Sequence, residues 1–538
     1  MTCPEILTKV WLALGIFLLG IGPAPATAQR VTADLVLRNG RIFTGDPARP
    51  WGEAVAIRGD RIVAVGSDAD IAKMTGPRTH VIDLGGRMAM PGINDAHDHV
   101  GDAPLGVEAK TKRSPMADPG RAELAEAVAE AARQAPPGAW ISLEAGPRSM
   151  ADTSQMLAAI KPMAGNHPVL ARAWWGHGVI LNPRGLQTVG LNDTAKDPPG
   201  GHYERDAFGH LTGKLEEYAG WRVLRTLYSK VGTPVIAARL HEYAKRRLAE
   251  GVTSVQVIAG YGEGQQFVSA FKAADMNMRV RLIPQVMPGT ANDDGMSVWR
   301  KVNPAPAALL RVSGIKWVLD GTPMEELAFT TTPYRNRPGW HGRLNFGPAH
   351  LDAQLRAALR AKQQYLFHAV GDATAELVVA DMEKLAPARR WRPLRLRIEH
   401  GNGLVGTRLE RAARLGIVIA QPRPTSPIRA WLATGVTVAY GSDSGFPPFS
   451  AFAQMTAPDN PNSVTREQAL GILTKGSAYA EFQEKEKGMV KPGMLADIVV
   501  LSQDVTTAPT SMLSATHSLL TIVGGKIVYS SPEFNRSR

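Results

Sequence analysis

Two imidazoles stand two residues apart in His97-Asp98-His99, and four further reactive side chains follow in order: Lys316, His368, His400 and Asp443. On an extended strand, residues i and i+2 face the same way, so His97 and His99 can reach one ion together. Each feature alone is weak. An H-x-H pair arises by chance, a solitary lysine usually snorkels to the surface, a solitary histidine is commonly a satisfied packing residue, and a solitary aspartate caps a helix or sits in a loop. Together and in this order they describe a metal centre built from nitrogen and oxygen donors, a set that suits Zn²⁺. Sulfur takes no part and no intrachain disulfide framework exists, because the one cysteine is Cys3. No G-x-S-x-G nucleophile elbow occurs in the chain. The chemistry such a centre supports is hydrolysis by water activated on the ion.

The elements that must position these groups are short apolar runs, at 89–93 (leading into Asp95), 252–258, 278–283, 315–319, 365–367, 394–398, 417–420 and 436–440. Helical periodicity fills gaps between them, as at 351–361, 373–385 and 407–415. Eight strands alternating with helices predict an α/β fold, a (β/α)8 TIM barrel, whose chemistry belongs at the C-terminal ends of its strands. The first strand ends in His97 and His99, the fourth carries Lys316, the fifth ends in His368, the sixth in His400 and the eighth in Asp443. Residues from about 140 to 231 break the repeat with their own strand-like pieces and Gly-rich turns, and predict an insertion after barrel strand 1, folded over the mouth. Residues 29–88 and 487–538 are both β-rich, which predicts one composite β-sandwich assembled from the two ends, flanking a barrel over 89–486.

With 538 residues, 44% of them hydrophobic and 20% charged, the chain is neither wholly disordered nor a polytopic membrane protein. Its formal charge of +12 is dispersed. The densest basic cluster, Arg389, Arg390, Arg392, Arg395 and Arg397, reads as a solvated face, so no nucleic-acid partner is expected. Lys9, the apolar run 10–22 and the small residues Ala26-Thr27-Ala28 describe a signal peptide over 1–28, removed after Ala28. The run falls short of the ~20 residues a membrane span needs. Cleavage predicts an exported, periplasmic or secreted protein with no stable membrane insertion and no cysteine, which suits an oxidising compartment.

Larger motifs surround the reactive residues: Pro91-Gly92-Ile93-Asn94-Asp95-Ala96-His97-Asp98-His99, Gly314-Ile315-Lys316-Trp317-Val318-Leu319-Asp320-Gly321, His368-Ala369-Val370-Gly371-Asp372, Ile398-Glu399-His400, Gly441-Ser442-Asp443 and the closing Lys491-Pro492-Gly493-Met494-Leu495-Ala496-Asp497. With these the chain resembles the metal-dependent amidohydrolase superfamily over nearly its whole mature length, in the branch similar to N-substituted formamide deformylases. The resemblance implies His97, His99, His368 and His400 as ligands of one or two Zn²⁺ (or another divalent ion), Lys316 as a bridging ligand carrying a CO₂-derived carbamate, and Asp443 as ligand and proton shuttle. It also implies a substrate contact by His177, in Trp175-Gly176-His177. The expected activity is hydrolysis of a non-peptide C–N, amide-type bond of a small molecule by a metal-bound hydroxide. The alternatives are an ester, lactone or amidine as target, or an inactive metal-binding barrel. A homo-oligomer is compatible with all of them. Asn94, Gly401-Asn402-Gly403 and residues 444–449 depart from the branch's usual pattern, and the resemblance places them around the mouth, where substrate identity is set.

Overall fold

The computed structural model describes residues 32–101, 105–260, 262, 264–290, 293–299, 309–423 and 425–536. The expected signal peptide and Cys3 lie outside them. The fold is mixed α/β. Through its middle run eight parallel strands: β1 (Ile93–Asp98), β2 (Val252–Ala259), β3 (Arg279–Pro284), β4 (Ile315–Val318), β5 (Tyr365–His368), β6 (Arg397–Glu399), β7 (Val418–Ala420) and β8 (Thr437–Ala439). Each coincides with, or directly follows, an apolar run of the sequence. Such runs are continuous rather than alternating because helices cover the outer face while side chains fill the inner one. Every residue of β1 and β2 is buried.

These strands form two sheets. One has the order β1-β2-β3 and ends on the short strand Leu310–Val312; the other runs β4-β5-β6-β7-β8. Leu310–Val312 and β4 are consecutive pieces of one extended segment, interrupted at Ser313-Gly314, where Gly314 takes a φ of 83°. Hydrogen bonds cross from sheet to sheet on both sides. Gln285 bridges Lys316 in parallel, and the Val286 N–H donates to the Lys316 carbonyl at 3.0 Å. On the other side the Ala96 N–H donates to the Tyr440 carbonyl at 2.7 Å, and the Asp443 N–H to the His97 carbonyl at 2.9 Å. The last contact sets the final loop directly against His97.

Between the sheets the interior is partly polar. Gln256 on β2 accepts from Arg397 on β6 at 2.7 Å and from Arg281 on β3 at 3.2 Å, and Arg281 also donates to Gln364 at 2.7 Å. A solvated face is therefore the wrong reading for part of the arginine cluster. Arg397 is fully buried, and Arg395 packs over the Tyr479 ring at 3.7 Å while pairing with Glu484 at 2.7 Å. The strand period of two turns Arg397 inward, where Gln256 and Glu399 satisfy its guanidinium.

Both chain ends build the flanking β unit. Strand Met88–Pro91 sits between Ile498–Leu501 and Arg41–Phe43 in a six-stranded sheet that also holds Ser518–Val523 and Lys526–Ser530. A four-stranded sheet, from the N-terminal part alone, shares a core with it through Leu37, Val55, Ile57, Ala89, Ile498 and Val500. The chain passes from this unit to β1 at Gly92, where an added Cβ would lie 2.2 Å from Thr253. The excursion after β1 is longer than the predicted 140–231. Its six-stranded sheet begins at Val107–Glu108, and helix Arg121–Gln134 packs on Thr153–Ala164 within it. That helix has the same amphipathic pattern as those packed on the parallel strands, which hid the true start. Among the described residues no helix is long and apolar enough to cross a membrane.

Candidate metal centre

All seven residues singled out in the sequence line one cavity of about 950 Å³ at the C-terminal ends of the parallel strands: His97, His99, His177, Lys316, His368, His400 and Asp443. Three donor atoms converge there. His97 Nε2 lies 3.3 Å from His99 Nε2 and 3.5 Å from Asp443 Oδ1, and His99 Nε2 lies 3.6 Å from the same Oδ1. A triangle with those edges has its centre about 2.0 Å from each corner (edge over √3), the length of a zinc bond to nitrogen or oxygen. A divalent ion therefore fits the residues present.

The chain holds these three by backbone contacts to acidic side chains of β1. Asp95 accepts the Ser442 N–H at 3.0 Å, and Asp98 accepts the Ser444 N–H at 2.8 Å and the Gly445 N–H at 3.2 Å. Asp95 is fixed in turn by Arg247 at 2.6 Å and Asp98 by the Tyr243 hydroxyl at 2.6 Å. Positive φ angles at His400, Gln421, Asp443 and Ser444 cluster where β6, β7 and β8 end. Such conformations cost roughly 1–3 kcal/mol each and persist where the surroundings over-determine them.

His97 is oriented from behind. Its Nδ1 meets the fully buried Glu399 carboxylate, which Arg397 grips with two donors at 2.8 Å, leaving Nε2 for the cavity. A carboxylate behind a ligating imidazole fixes its tautomer and raises its basicity. Beside it the His400 ring lies 5.6 Å from that of His97, and His400 Nε2 lies 2.9 Å from His368 Nδ1. Burial, followed by the charge of a neighbouring histidine at His368 and against the pull of Asp443 at His400, pushes both imidazoles well below their ordinary pKa. They are held neutral, as ligands must be.

Lys316 is 2% exposed, and its Nζ has no hydrogen-bond partner among the described residues. Burial brings the ammonium down to about 8, against the opposing charge of Glu399. Burial acts to raise the Asp443 carboxyl, but the hydrogen bond and charge of His97, with His400 and His99, hold it well below the usual carboxylate range. Its second oxygen is held by Arg423 at 3.2 Å. Glu399 and Arg423 are not among the residues that the sequence picks out. Glu399 was visible beside His400 on the sixth strand, whereas nothing in the pattern marks Arg423.

Nitrogen, carboxylate and lysine donors gathered at one end of parallel strands define a hydrolytic enzyme on an α/β scaffold. Residues 80–529 match the model of the Amidohydrolase family, and the chain belongs to that family: it is a hydrolase of carbon–nitrogen bonds. It is 26% identical over 554 residues to the N-substituted formamide deformylase of Arthrobacter pascens, covering 92% of this chain and 98% of that one. In structure it is similar to an uncharacterized metal-dependent hydrolase from Pyrococcus furiosus, with a TM-score of 0.65, 19% identity, and coverage of 88% of this chain and 100% of that one. It is also similar to the atrazine chlorohydrolase TrzN of Arthrobacter aurescens complexed with zinc, with a TM-score of 0.52, 16% identity, and coverage of 92% and 95%.

Proposed function

We propose that the chain is an exported zinc hydrolase that opens a non-peptide amide of a small molecule, with an N-substituted formamide as the nearest model substrate. The two parallel sheets act as the halves of a (β/α)8 barrel, and the flanking sheets as a β-sandwich that closes its far side. The observation that carries the reading is the triangle of His97 Nε2, His99 Nε2 and Asp443 Oδ1.

His97, His99 and Asp443 would hold one ion, and a carbamate on Lys316, with His368 and His400, would hold a second. Such ions supply Lewis acidity that activates water and polarises the scissile carbonyl. Asp443 accepts a proton from the attacking water and returns it to the departing nitrogen. A C–O bond forms as the C–N bond breaks, leaving an acid and an amine. Arg423 keeps the Asp443 carboxylate turned toward the histidines. Trp174, Trp175, Trp221 and Met324 wall the cavity with apolar surface and reduce the water around the reacting groups.

Purified protein should carry one to two zinc ions per chain and hydrolyse at least one member of a panel of formamides, N-acyl amines and lactams. Stripping the metal should remove the activity, and adding zinc back should restore it. A metal-free protein with full activity, or turnover of esters alone, would overturn the reading. Export is supported by the apolar run at 10–22 and the small residues before Gln29. Protein recovered from the periplasm or medium should begin at Gln29 on N-terminal sequencing; an intact leader there would reject cleavage.

A further inference from the structure

His177 enters the cavity from the loop after strand Val169–Ala173, in Trp174-Trp175-Gly176-His177-Gly178. The Trp221 indole donates to the Gly176 carbonyl at 2.9 Å and pins this loop. The His177 ring packs 4.7 Å from the ring of His368, one of the residues placed at the metal centre. Its Nδ1 lies 2.8 Å from Glu217 Oε1. Nε2 has no protein partner among the described residues and is not among their sealed, unpaired atoms, so it is the polar atom the ring offers to the cavity.

Glu217 is an unusual place to keep a carboxylate. It is 1% exposed and stands at the junction of strand Leu211–Glu217 and helix Tyr218–Tyr228, with φ 54° and ψ −128°, a conformation that suits glycine. A strained backbone at a buried charge persists where the side chain is needed. Among the described residues that side chain makes two hydrogen bonds: to His177 through one oxygen, and to the Asn345 amide, which donates to the other at 3.0 Å. A second, half-buried carboxylate, Glu325, stands within reach of the same imidazole, held by the Trp175 indole at 2.6 Å and the Thr322 hydroxyl at 2.6 Å. The ring is thus clamped from the side away from the cavity, as Glu399 clamps His97.

We propose that Glu217 is the positioning residue of a carboxylate–imidazole dyad: it holds the His177 Nδ1–H, fixes the ring and its tautomer, and presents Nε2 to the reacting amide group of the substrate. The substrate half of this inference rests on the hydrolase reading above; the dyad itself does not. Two measurements test it. In protein labelled with ¹⁵N-histidine, a downfield Nδ1–H resonance should disappear in both His177→Ala and Glu217→Ala. It should persist, shifted, in Glu217→Gln, whose amide oxygen still accepts. With an N-substituted formamide as probe, Glu217→Ala and His177→Ala should each lower kcat/KM on the order of 10²-fold. The double variant should be no worse than His177→Ala, because both changes remove one unit. Metal content should stay at the wild-type level in all three. If Glu217→Ala does not fold, Glu217→Gly, which suits the positive φ, takes its place. Losses that multiply in the double variant, loss of metal from Glu217→Ala, or a resonance indifferent to residue 217 would each overturn the dyad. If wild-type protein hydrolyses no C–N substrate, the hydrolase reading fails while the resonance still decides the dyad.

Discussion

Asp443→Asn is expected to abolish turnover, by about 10²–10⁴-fold in kcat, while leaving fold and most of the bound metal in place. Asparagine has the same shape and keeps an oxygen to face His97 and His99, but an amide cannot accept and return the proton of the attacking water. The fold should survive because the loop is not held by this side chain. Its backbone is tied by Asp95 to Ser442, by Asp98 to Ser444 and Gly445, and by the Asp443 N–H to His97. The φ of 49° at residue 443 is also one that asparagine tolerates well. Some weakening of metal binding is expected, since a neutral amide is a poorer ligand and a poorer partner for Arg423 at 3.2 Å. Zinc content and kcat measured on the same preparation separate the two effects. Full metal with wild-type kcat would remove Asp443 from proton transfer.

What the sequence made legible follows from where each constraint acts. The eight parallel strands are continuous apolar runs of a length set by burial on both faces, so local composition marks them. The candidate ligand residues interrupt those runs or end them, and a polar group at such a point has few structural excuses. Arg397 shows the limit of that logic. Its charge reads as solvated by composition, yet the strand period turns it inward toward Gln256 and Glu399, and no local signal says that partners wait there. Glu217 and Arg423 are harder still. Arg423 reaches the cavity wall from a strand-end loop, while Glu217 stands behind His177 on an inserted sheet, and only the three-dimensional path brings it to a histidine forty residues earlier. The insertion's start was hidden for a related reason: Arg121–Gln134 has the same amphipathic pattern whether it packs on a parallel strand or on helix Thr153–Ala164.

Lys316→Ala should reduce activity by at least about 10²-fold, with part of it restored by millimolar formate, acetate or propionate. The side chain is buried, and its Nζ has no hydrogen-bond partner among the described residues. A buried, unpaired ammonium beside a cation site is unfavourable twice over, through desolvation and through repulsion. Burial already brings it down to about 8, so roughly a tenth is free amine at pH 7. That amine can attack CO₂, forming an N–C bond and losing a proton, which converts a misplaced cation into an anion with two oxygen donors. The conversion accounts for a lysine at this position better than any packing role, for which leucine or methionine would serve at lower cost. Alanine removes both the carbamate and a buried charge. The variant should therefore bind less metal, and a small carboxylate can occupy the vacated space and supply the missing oxygens. In wild-type protein equilibrated with ¹³C-bicarbonate, a carbamate resonance should appear and be absent from the variant. A variant with unchanged activity and metal content would show that Lys316 is no ligand. Loss of activity that no carboxylate relieves, with no carbamate signal in the wild type, would leave the lysine acting as an amine.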